Sequence, residues 1–189
     1  MPDHYEIPSL TGERVALRPL EPEEQGQIQR WAFESDLLTQ TCHPPVVRSI
    51  AHTVHERARR RPEPTRGSFA VIMRGTGTLI GRVTYYELNF RNRSAEIGYL
   101  LAPAARGKGF AREAVSLLLG YLFDGLGLNK VYAQTASINN ASTKLLEALR
   151  FHRDGVLREH HLQGGIRHDD FLYSILVSEW RKLRVDRGS

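Results

Sequence analysis

Residues 94–123 read SAEIGYLLAPAARGKGFAREAVSLLLGYLF, and three local patterns follow one another in this stretch. Ser94 to Leu101 is short, mostly apolar and rich in residues that favour a strand. Pro103 to Gly109 contains one proline and two glycines, which indicates a turn. From Lys108 onward the apolar residues recur at helical spacing and predict a helix with one buried face. The stretch therefore predicts a strand that passes through a glycine-rich turn into the start of a helix.

The junction between this turn and the helix is typical of an anion site. The first N–H groups of a helix lack backbone partners, and its dipole is positive at the same end, so phosphate binds there. Arg106 and Lys108 would add side-chain charge. A Walker loop is excluded because Gly109 and not Ser or Thr follows Lys108, and a dinucleotide fingerprint would need a glycine where Arg112 stands. From this stretch alone, two interpretations of the turn remain: a phosphate-binding loop and a plain tight turn.

Composition excludes several classes of protein. The chain has 189 residues, 41% of them hydrophobic and 25% charged, which predicts an ordinary globular domain. No apolar run approaches a membrane span, and the first residues lack a signal pattern, so we expect a cytoplasmic protein without membrane contact. Cys42 is the only cysteine, which excludes an internal disulfide and a cysteine-based zinc site, and we expect no metal. The net charge of +5 suggests RNA as a partner, but the basic run 57–61 has no interleaved aromatics, so we expect a solvated helix end there and no nucleic-acid partner.

Taken in order, the chain predicts elements in the sequence β-α-α-β-β-β-α-β-α-β-β. The strand over Lys130–Thr135 follows the central helix, so it should run parallel to the central strand. The result is one mixed sheet with helices on both faces. The other predicted elements are strands at Glu13–Leu20, Ser68–Arg74, Leu79–Leu88, Gly155–Leu162 and Ile166–Val177, and helices at Glu21–Phe33, Ser49–Arg61 and from Asn139.

Three motifs in this order carry a family resemblance: AEIGYLLAPAARGKGFAREA at 95–114, INNASTKLLEALRF at 138–151, and GVLREHHLQGG with RHDDFLYSILVSEW at 155–180. The chain resembles the GNAT N-acetyltransferase superfamily and, within it, the RimJ/RimL-like branch. The resemblance covers roughly Thr11 to Trp180. It implies an α/β (α+β) fold, with a mixed, mostly antiparallel sheet and two splayed parallel strands at its centre. It also implies a single acetyltransferase domain over 1–189 with a core of about 11–180.

The resemblance further implies acetyl-CoA as cosubstrate and assigns residues to it. The loop would hold the pyrophosphate through backbone N–H groups, and the end of the central strand would lie along the pantetheine arm. Two residues of the later helix region match positions that face the pantetheine and its sulfur. The implied contacts are Leu100, Leu101, Arg106, Gly107, Lys108, Gly109, Phe110, Ala111, Asn139 and Ser142.

Acetyl transfer to an amine also needs a base and an acid, and three residues are candidates. Glu96 lies on the central strand near the floor of the expected acceptor cleft, although it could simply pair with Arg82 or Arg93. His161 is the second candidate base, since histidine titrates near neutrality, but it could equally be half of an exposed His160–His161 pair. The resemblance makes Ser142 the candidate acid, against a plain hydrogen bonder at a helix start.

The chain departs from the family pattern at three places. Ala104 replaces the usual first residue of the loop, and Arg150 stands where the helix usually ends in glycine, at a cost of about 1 kcal/mol if it is left-handed. No tyrosine occurs between Ser142 and Leu149, where many relatives place an acid.

The function expected from the sequence is an N-acetyltransferase in which an amine attacks acetyl-CoA directly in a ternary complex. The acceptor would be a protein N-terminus or a small amine such as an antibiotic, and a homodimer is a candidate quaternary state. The alternative is a non-catalytic acyl-CoA-binding sensor or interaction module that keeps the phosphate loop without the chemistry.

Overall fold

A computed structural model describes residues 9–34, 49 and 65–185. Within these ranges eight strands form one sheet, and four α-helices accompany it. The strands are β1 (Leu10–Thr11), β2 (Val15–Pro19), β3 (Gly67–Met73), β4 (Thr78–Asn89), β5 (Ser94–Leu101), β6 (Lys130–Ala136), β7 (His152–Gln163) and β8 (Ile166–Leu176). The helices are α1 (Gln25–Glu34), α2 (Phe110–Gly120), α3 (Asn140–Ala148) and α4 (Val177–Val185).

The sheet has the strand order β1-β2-β3-β4-β5-β6-β8-β7, and β5 and β6 are its parallel pair. These two strands pair at three positions, from Ser94 opposite Lys130 to Glu96 opposite Tyr132. Both strands continue beyond that point, β5 to Leu101 and β6 to Ala136, but they no longer pair with each other. They therefore diverge, and a gap opens in the middle of the sheet.

One face of the sheet is apolar and carries the core. Val71, Val83 and Ile97 are almost fully buried, and Val83 lies between the polar residues Arg82 and Thr84. Leu118 of α2 and Leu122 of the turn that follows it belong to the same buried cluster. The two-residue period of the strands and the stripe of α2 together explain why this face excludes water.

The opposite face of β3, β4 and β5 is polar. Ser68 pairs with Thr84, Thr84 with Gly98, and Tyr86 with Glu96, so these side chains share one face in adjacent rows. The hydroxyls of Ser68 and Thr84 are 3.1 Å apart. We call this polar face of β3, β4 and β5, which lies next to the strand gap, the polar floor of the candidate site.

The structure confirms the mixed sheet, the parallel central pair and the splay. β5 has the predicted bounds, and Pro22 begins a 3₁₀ turn, Pro22–Glu24, ahead of α1. The predicted helix over 49–61 lies outside the described residues apart from Ser49. The prediction that the last strand reaches Val177 is wrong by one residue, and the sequence pattern missed α4. The carboxylate of Glu179 accepts from the Leu176 N–H at 2.8 Å and so caps the start of that helix.

Candidate functional site

The loop before α2 has the backbone of an anion cradle. Gly107 and Gly109 both have positive φ, +70° and +81°, a conformation that favours glycine. Gly109 is the N-cap residue immediately before α2, and it offers no side-chain cap. The first bond into the helix runs from the Glu113 N–H to the Gly109 carbonyl at 3.3 Å. The N–H groups between them lack helical carbonyl partners by geometry, so they can donate to an anion.

Arg14 and Glu113 brace this loop from outside. The Glu113 carboxylate accepts from the backbone N–H groups of Arg14 and Val15 at 2.7 and 3.1 Å. The Arg14 guanidinium donates to that carboxylate and to the Lys108 carbonyl, and lies 5.1 Å from the ring centre of Phe110. Burial alone would raise the pKa of Glu113, but these hydrogen bonds and the Arg14 charge hold the pKa below its usual value. The loop is thus fixed before any ligand arrives.

The Arg106 side chain lines the cavity and also contacts the end of β5. Its guanidinium folds back and donates to the Leu101 carbonyl from Nε and Nη2, at 3.1 and 3.0 Å. Burial lowers the pKa of this guanidinium from its ordinary value. The side chain therefore ties the loop to the end of β5.

A cavity of about 780 Å³ occupies the gap between β5 and β6 and continues along the loop. Its lining includes residues of both predicted regions, the stretch 94–123 and the start of α3. The predicted site residues in that lining are Glu96, Leu100, Leu101, Arg106, Gly107, Gly109, Phe110, Ala111, Asn139 and Ser142. The two remaining predicted residues, Lys108 and His161, lie outside the lining.

The start of α3 places Ser142 on the cavity wall. Asn139 caps the helix, its side-chain oxygen accepting from the Ser142 N–H at 3.1 Å. The Ser142 hydroxyl lies 2.7 Å from the hydroxyl of Tyr99, which comes from β5 across the gap. Both side chains line the cavity, and Ser142 is buried. A tyrosine hydroxyl is therefore present at the candidate acid, although it comes from the strand and not from the helix.

Glu96 is half-buried on the polar floor. Its Oε1 accepts from the Tyr86 hydroxyl at 3.0 Å. Arg93, one of the expected partners, instead donates through its guanidinium to the Gly127 carbonyl. Burial, and then the charges of Glu96 and Glu87, raise the pKa of the neighbouring Tyr132. The Glu96 carboxylate thus lies at the cavity with a hydroxyl donor beside it.

His161 is buried, with 8% of its surface exposed, while His160 is exposed. The alternative of an exposed histidine pair is therefore wrong for His161. Its Nδ1 lies 4.0 Å from Oδ1 of Asp170, a fully buried carboxylate. The other oxygen of Asp170 accepts from Nε2 of Gln134 at 2.6 Å. Since His161 does not reach the cavity, Glu96 is the better placed of the two candidate bases.

A family model for an acetyltransferase (GNAT) domain matches residues 14–152. The chain belongs to the GNAT acetyltransferase family. The uncharacterized N-acetyltransferase p20 of Bacillus licheniformis is 38% identical over 112 residues, which is 59% of this chain and 63% of that relative's own length. The putative ribosomal N-acetyltransferase YdaF of Bacillus subtilis is 29% identical and aligns over 89% of this chain and 94% of its own length.

Solved structures of the GNAT family show the same fold. A spermidine N-acetyltransferase from Vibrio cholerae in complex with CoA and spermine superposes with a TM-score of 0.82 at 28% identity. The match covers 90% of this chain and 99% of that one. The family model thus shows the GNAT family, and the superposition shows the same fold.

Sequence patterns missed Arg14, Tyr99 and Gln134. No local signal marks them, since each acts through a partner 35 or more residues away in the chain. Elsewhere in the described ranges, no three His, Cys, Asp or Glu side chains converge to hold a metal ion. No helix within those ranges has both the length and the apolar character that a membrane crossing requires.

Proposed function

We propose that this protein transfers the acetyl group of acetyl-CoA to a primary amine, which attacks directly while both substrates are bound. The observation that carries this proposal is the single cavity that runs from the glycine loop through the strand gap to the polar floor at Glu96. Such a cavity can hold a phosphorylated carrier at one end and an acceptor at the other, with the reacting atoms between them.

The loop end fits acetyl-CoA. The left-handed backbone at Gly107 and Gly109 supports a cradle of N–H groups at a helix start, which suits a pyrophosphate. Arg112 and Lys144 line the cavity and bring positive charge. Leu100 and Leu101 lie at the end of β5 that does not pair with β6, beside the gap that a pantetheine arm would enter. Acetyl-CoA supplies an activated acetyl thioester at the gap.

The residues at the gap suit the proton transfers of the reaction. In the proposal, Glu96 accepts a proton from the amine, directly or through water, as the nitrogen bonds to the acetyl carbon. The Ser142 hydroxyl donates a proton to the sulfur as the carbon–sulfur bond breaks. Tyr99, at 2.7 Å, replaces that proton on Ser142. His161 as the base stays a prediction, and its position outside the cavity lining argues against it.

The relatives support both classes of acceptor. YdaF is named a putative ribosomal N-acetyltransferase, which favours a protein N-terminus and the RimJ/RimL-like branch. The Vibrio cholerae structure contains spermine, which favours a small amine. We propose membership of the RimJ/RimL-like branch, with a protein N-terminus or a small amine as the acceptor. Cytoplasmic residence and a homodimer stay predictions.

The proposal is tested by incubating the protein with acetyl-CoA and a panel of peptides and small amines, with thiol release and product mass as readouts. Amine-dependent thiol release and a product one acetyl group heavier are expected. Glu96→Gln should lower kcat by about a hundredfold or more if it removes the base, with acetyl-CoA binding retained. Tight CoA binding without transfer to any amine would favour the non-catalytic module instead.

A further inference from the structure

A fully buried carboxylate, Asp170 of β8, lies behind the wall of the cavity. Its Oδ2 accepts from Nε2 of Gln134 at 2.6 Å, and Gln134 lines the cavity. Among the described residues its Oδ1 has no hydrogen-bond partner, and Nδ1 of His161 is 4.0 Å away, beyond hydrogen-bond distance. A buried carboxylate oxygen without a donor is costly to the fold. A contact that only joined β6 to β8 would not need this carboxylate, since a neutral amide could accept the same hydrogen bond.

The alternation of side chains along β6 puts Gln134 on the acceptor side of the gap. Its neighbour Ala133 belongs to the buried core, so Gln134 faces the opposite way. Glu96 is also on that face, because its neighbour Ile97 belongs to the same core. Gln134 stands two residues beyond Tyr132, which pairs with Glu96, so it is about 7 Å further along β6, where the two strands no longer pair. Gln134 therefore borders the gap on the side of the polar floor.

The contact with Asp170 determines which atom Gln134 presents to the cavity. A carboxylate accepts hydrogen bonds, so the amide nitrogen is the end that lies at Asp170, and the oxygen is the other end. An amide that donates to a carboxylate is also polarised, which makes its oxygen a stronger acceptor. Gln134 can thus offer an oriented acceptor atom to an N–H group in the cavity that it lines.

We propose that the Gln134 amide oxygen receives one N–H of the acceptor amine, and that Asp170 is the positioning residue that holds the amide in this orientation. This inference rests on the proposed function. A neutral primary amine carries two hydrogens on the nitrogen that bonds to the acetyl carbon. One leaves as a proton to the base, and the other, which stays on the nitrogen of the product, donates to Gln134. This hydrogen bond directs the nitrogen lone pair toward the acetyl carbon.

Such a contact distinguishes primary amines from their N-methyl analogues. A secondary amine carries one hydrogen on nitrogen, and the base removes it, so a methyl group would face the Gln134 oxygen. The oxygen would then lose its donor inside the occupied cavity, and a site built around a hydrogen bond rejects an analogue that lacks it. We expect kcat/KM for the primary amine to exceed that for the N-methyl amine by about a hundredfold or more.

The selectivity is measured with pairs of amines that differ by N-methylation. We compare kcat/KM with acetyl-CoA for butylamine and N-methylbutylamine, for 1,4-diaminobutane and its N,N′-dimethyl form, and for the peptide Ser-Ala-Ala and its form methylated on the terminal nitrogen. The members of each pair have nearly the same basicity. Their ratio therefore reports the contacts of the nitrogen and not its ionisation.

Variants test the two residues directly. Gln134→Met removes the amide at nearly constant volume, and Asp170→Asn keeps the volume but can donate to the Gln134 oxygen, which allows the amide to turn around. Both should lower the ratio of kcat/KM for the primary over the N-methyl amine by about tenfold or more, with acetyl-CoA affinity unchanged. Ser174→Ala is the control, because Ser174 is another buried polar residue of β8 that donates to a carboxylate, that of Asp154, and it lies outside the cavity lining. It should leave the ratio unchanged.

The possible failures are distinguishable. A ratio near one in the wild type, with good turnover, would overturn the inference without any variant and leave the acetyltransferase standing. Equal losses on both members of a pair in Gln134→Met or Asp170→Asn would also overturn it, because the two residues would then only join β6 to β8. Absence of turnover on every primary amine would contradict the proposed function itself.

Discussion

Gly109 offers the sharpest test of the phosphate cradle, because two substitutions there separate backbone strain from charge. Its φ of +81° is left-handed, so Gly109→Ala should destabilise the fold by about 1–2 kcal/mol. The added Cβ would lie 3.0 Å from Nη2 of Arg14, at the far end of a long side chain, so a shift of a few tenths of an ångström would relieve the contact. For a chain of this size, the loss corresponds to a fall in Tm of about 2–4 °C per kcal/mol.

Gly109→Asp adds a negative charge at the same point. A unit charge about 4 Å from a phosphate charge costs about 4 kcal/mol at an effective dielectric constant of about 20, and solvent at this exposed loop reduces the penalty. We expect acetyl-CoA affinity to fall by about a hundredfold or more, which is about 2.7 kcal/mol. Affinity is measured by calorimetry, with acetyl-pantetheine, which lacks the pyrophosphate, as the second ligand.

The control for strain is Gly77→Ala. Gly77 has a φ of +68° in the turn between β3 and β4, with open space around its Cβ position and no place in the cavity lining. It should lose similar stability and keep acetyl-CoA affinity. The cradle is refuted if Gly109→Asp binds acetyl-CoA as the wild type does, or if it weakens acetyl-pantetheine equally.

Three further predictions concern other parts of the molecule. Arg150→Gly should stabilise the fold by up to about 1 kcal/mol in denaturant unfolding, since Arg150 has a φ of +64°, whereas Ala148→Gly in the preceding helix should destabilise it by about as much. The hydrogen bond from Lys130 lowers the pKa of Asp154 from 3.8 to about 2, so the stability it contributes is present above about pH 4 and lost as the pH falls toward 2. Because Asp154 is partly exposed, Asp154→Asn should cost less than about 1 kcal/mol at pH 7 and clearly less at pH 2, as thermal unfolding at the two pH values will show. Tyr99→Phe should lower kcat by about tenfold to a hundredfold without changing the KM for acetyl-CoA, and adding Ser142→Ala should cost less than the product of the two single effects; additive losses would separate the two hydroxyls.

The sequence predicted the parts of the fold that depend on local pattern. The bounds of β5 follow from its apolar composition and flanking turns, and the parallel direction of β6 follows from the intervening helix. The left-handed conformation of Arg150 could also be anticipated, because a helix end imposes it whatever residue stands there.

Contacts between distant segments could not be predicted in this way. Tyr99 and Ser142 are 43 residues apart in the chain and meet only because α3 closes over the strand gap. His161 lies on the same side of β7 as Leu157, and the pairing of β7 with β8 brings its Nδ1 to 4.0 Å from the buried Asp170. The sequence of β7 alone does not show what covers this side of the strand.

The contact made by the Arg106 side chain could not be predicted either. A guanidinium beside a glycine loop suggests a phosphate ligand, and in the structure it also donates to the Leu101 carbonyl at the end of β5. The local sequence contains the donor, and only the folded backbone shows which acceptor is nearest.

The most direct test of the central claim is amine-dependent release of the CoA thiol by the purified protein, measured beside Glu96→Gln. The claim predicts saturable release with at least one primary amine, an acetylated product by mass, and a loss of about a hundredfold or more in kcat in the variant with unchanged acetyl-CoA affinity. Acetyl-CoA binding without amine-dependent release, or equal kcat in the wild type and the variant, would contradict it.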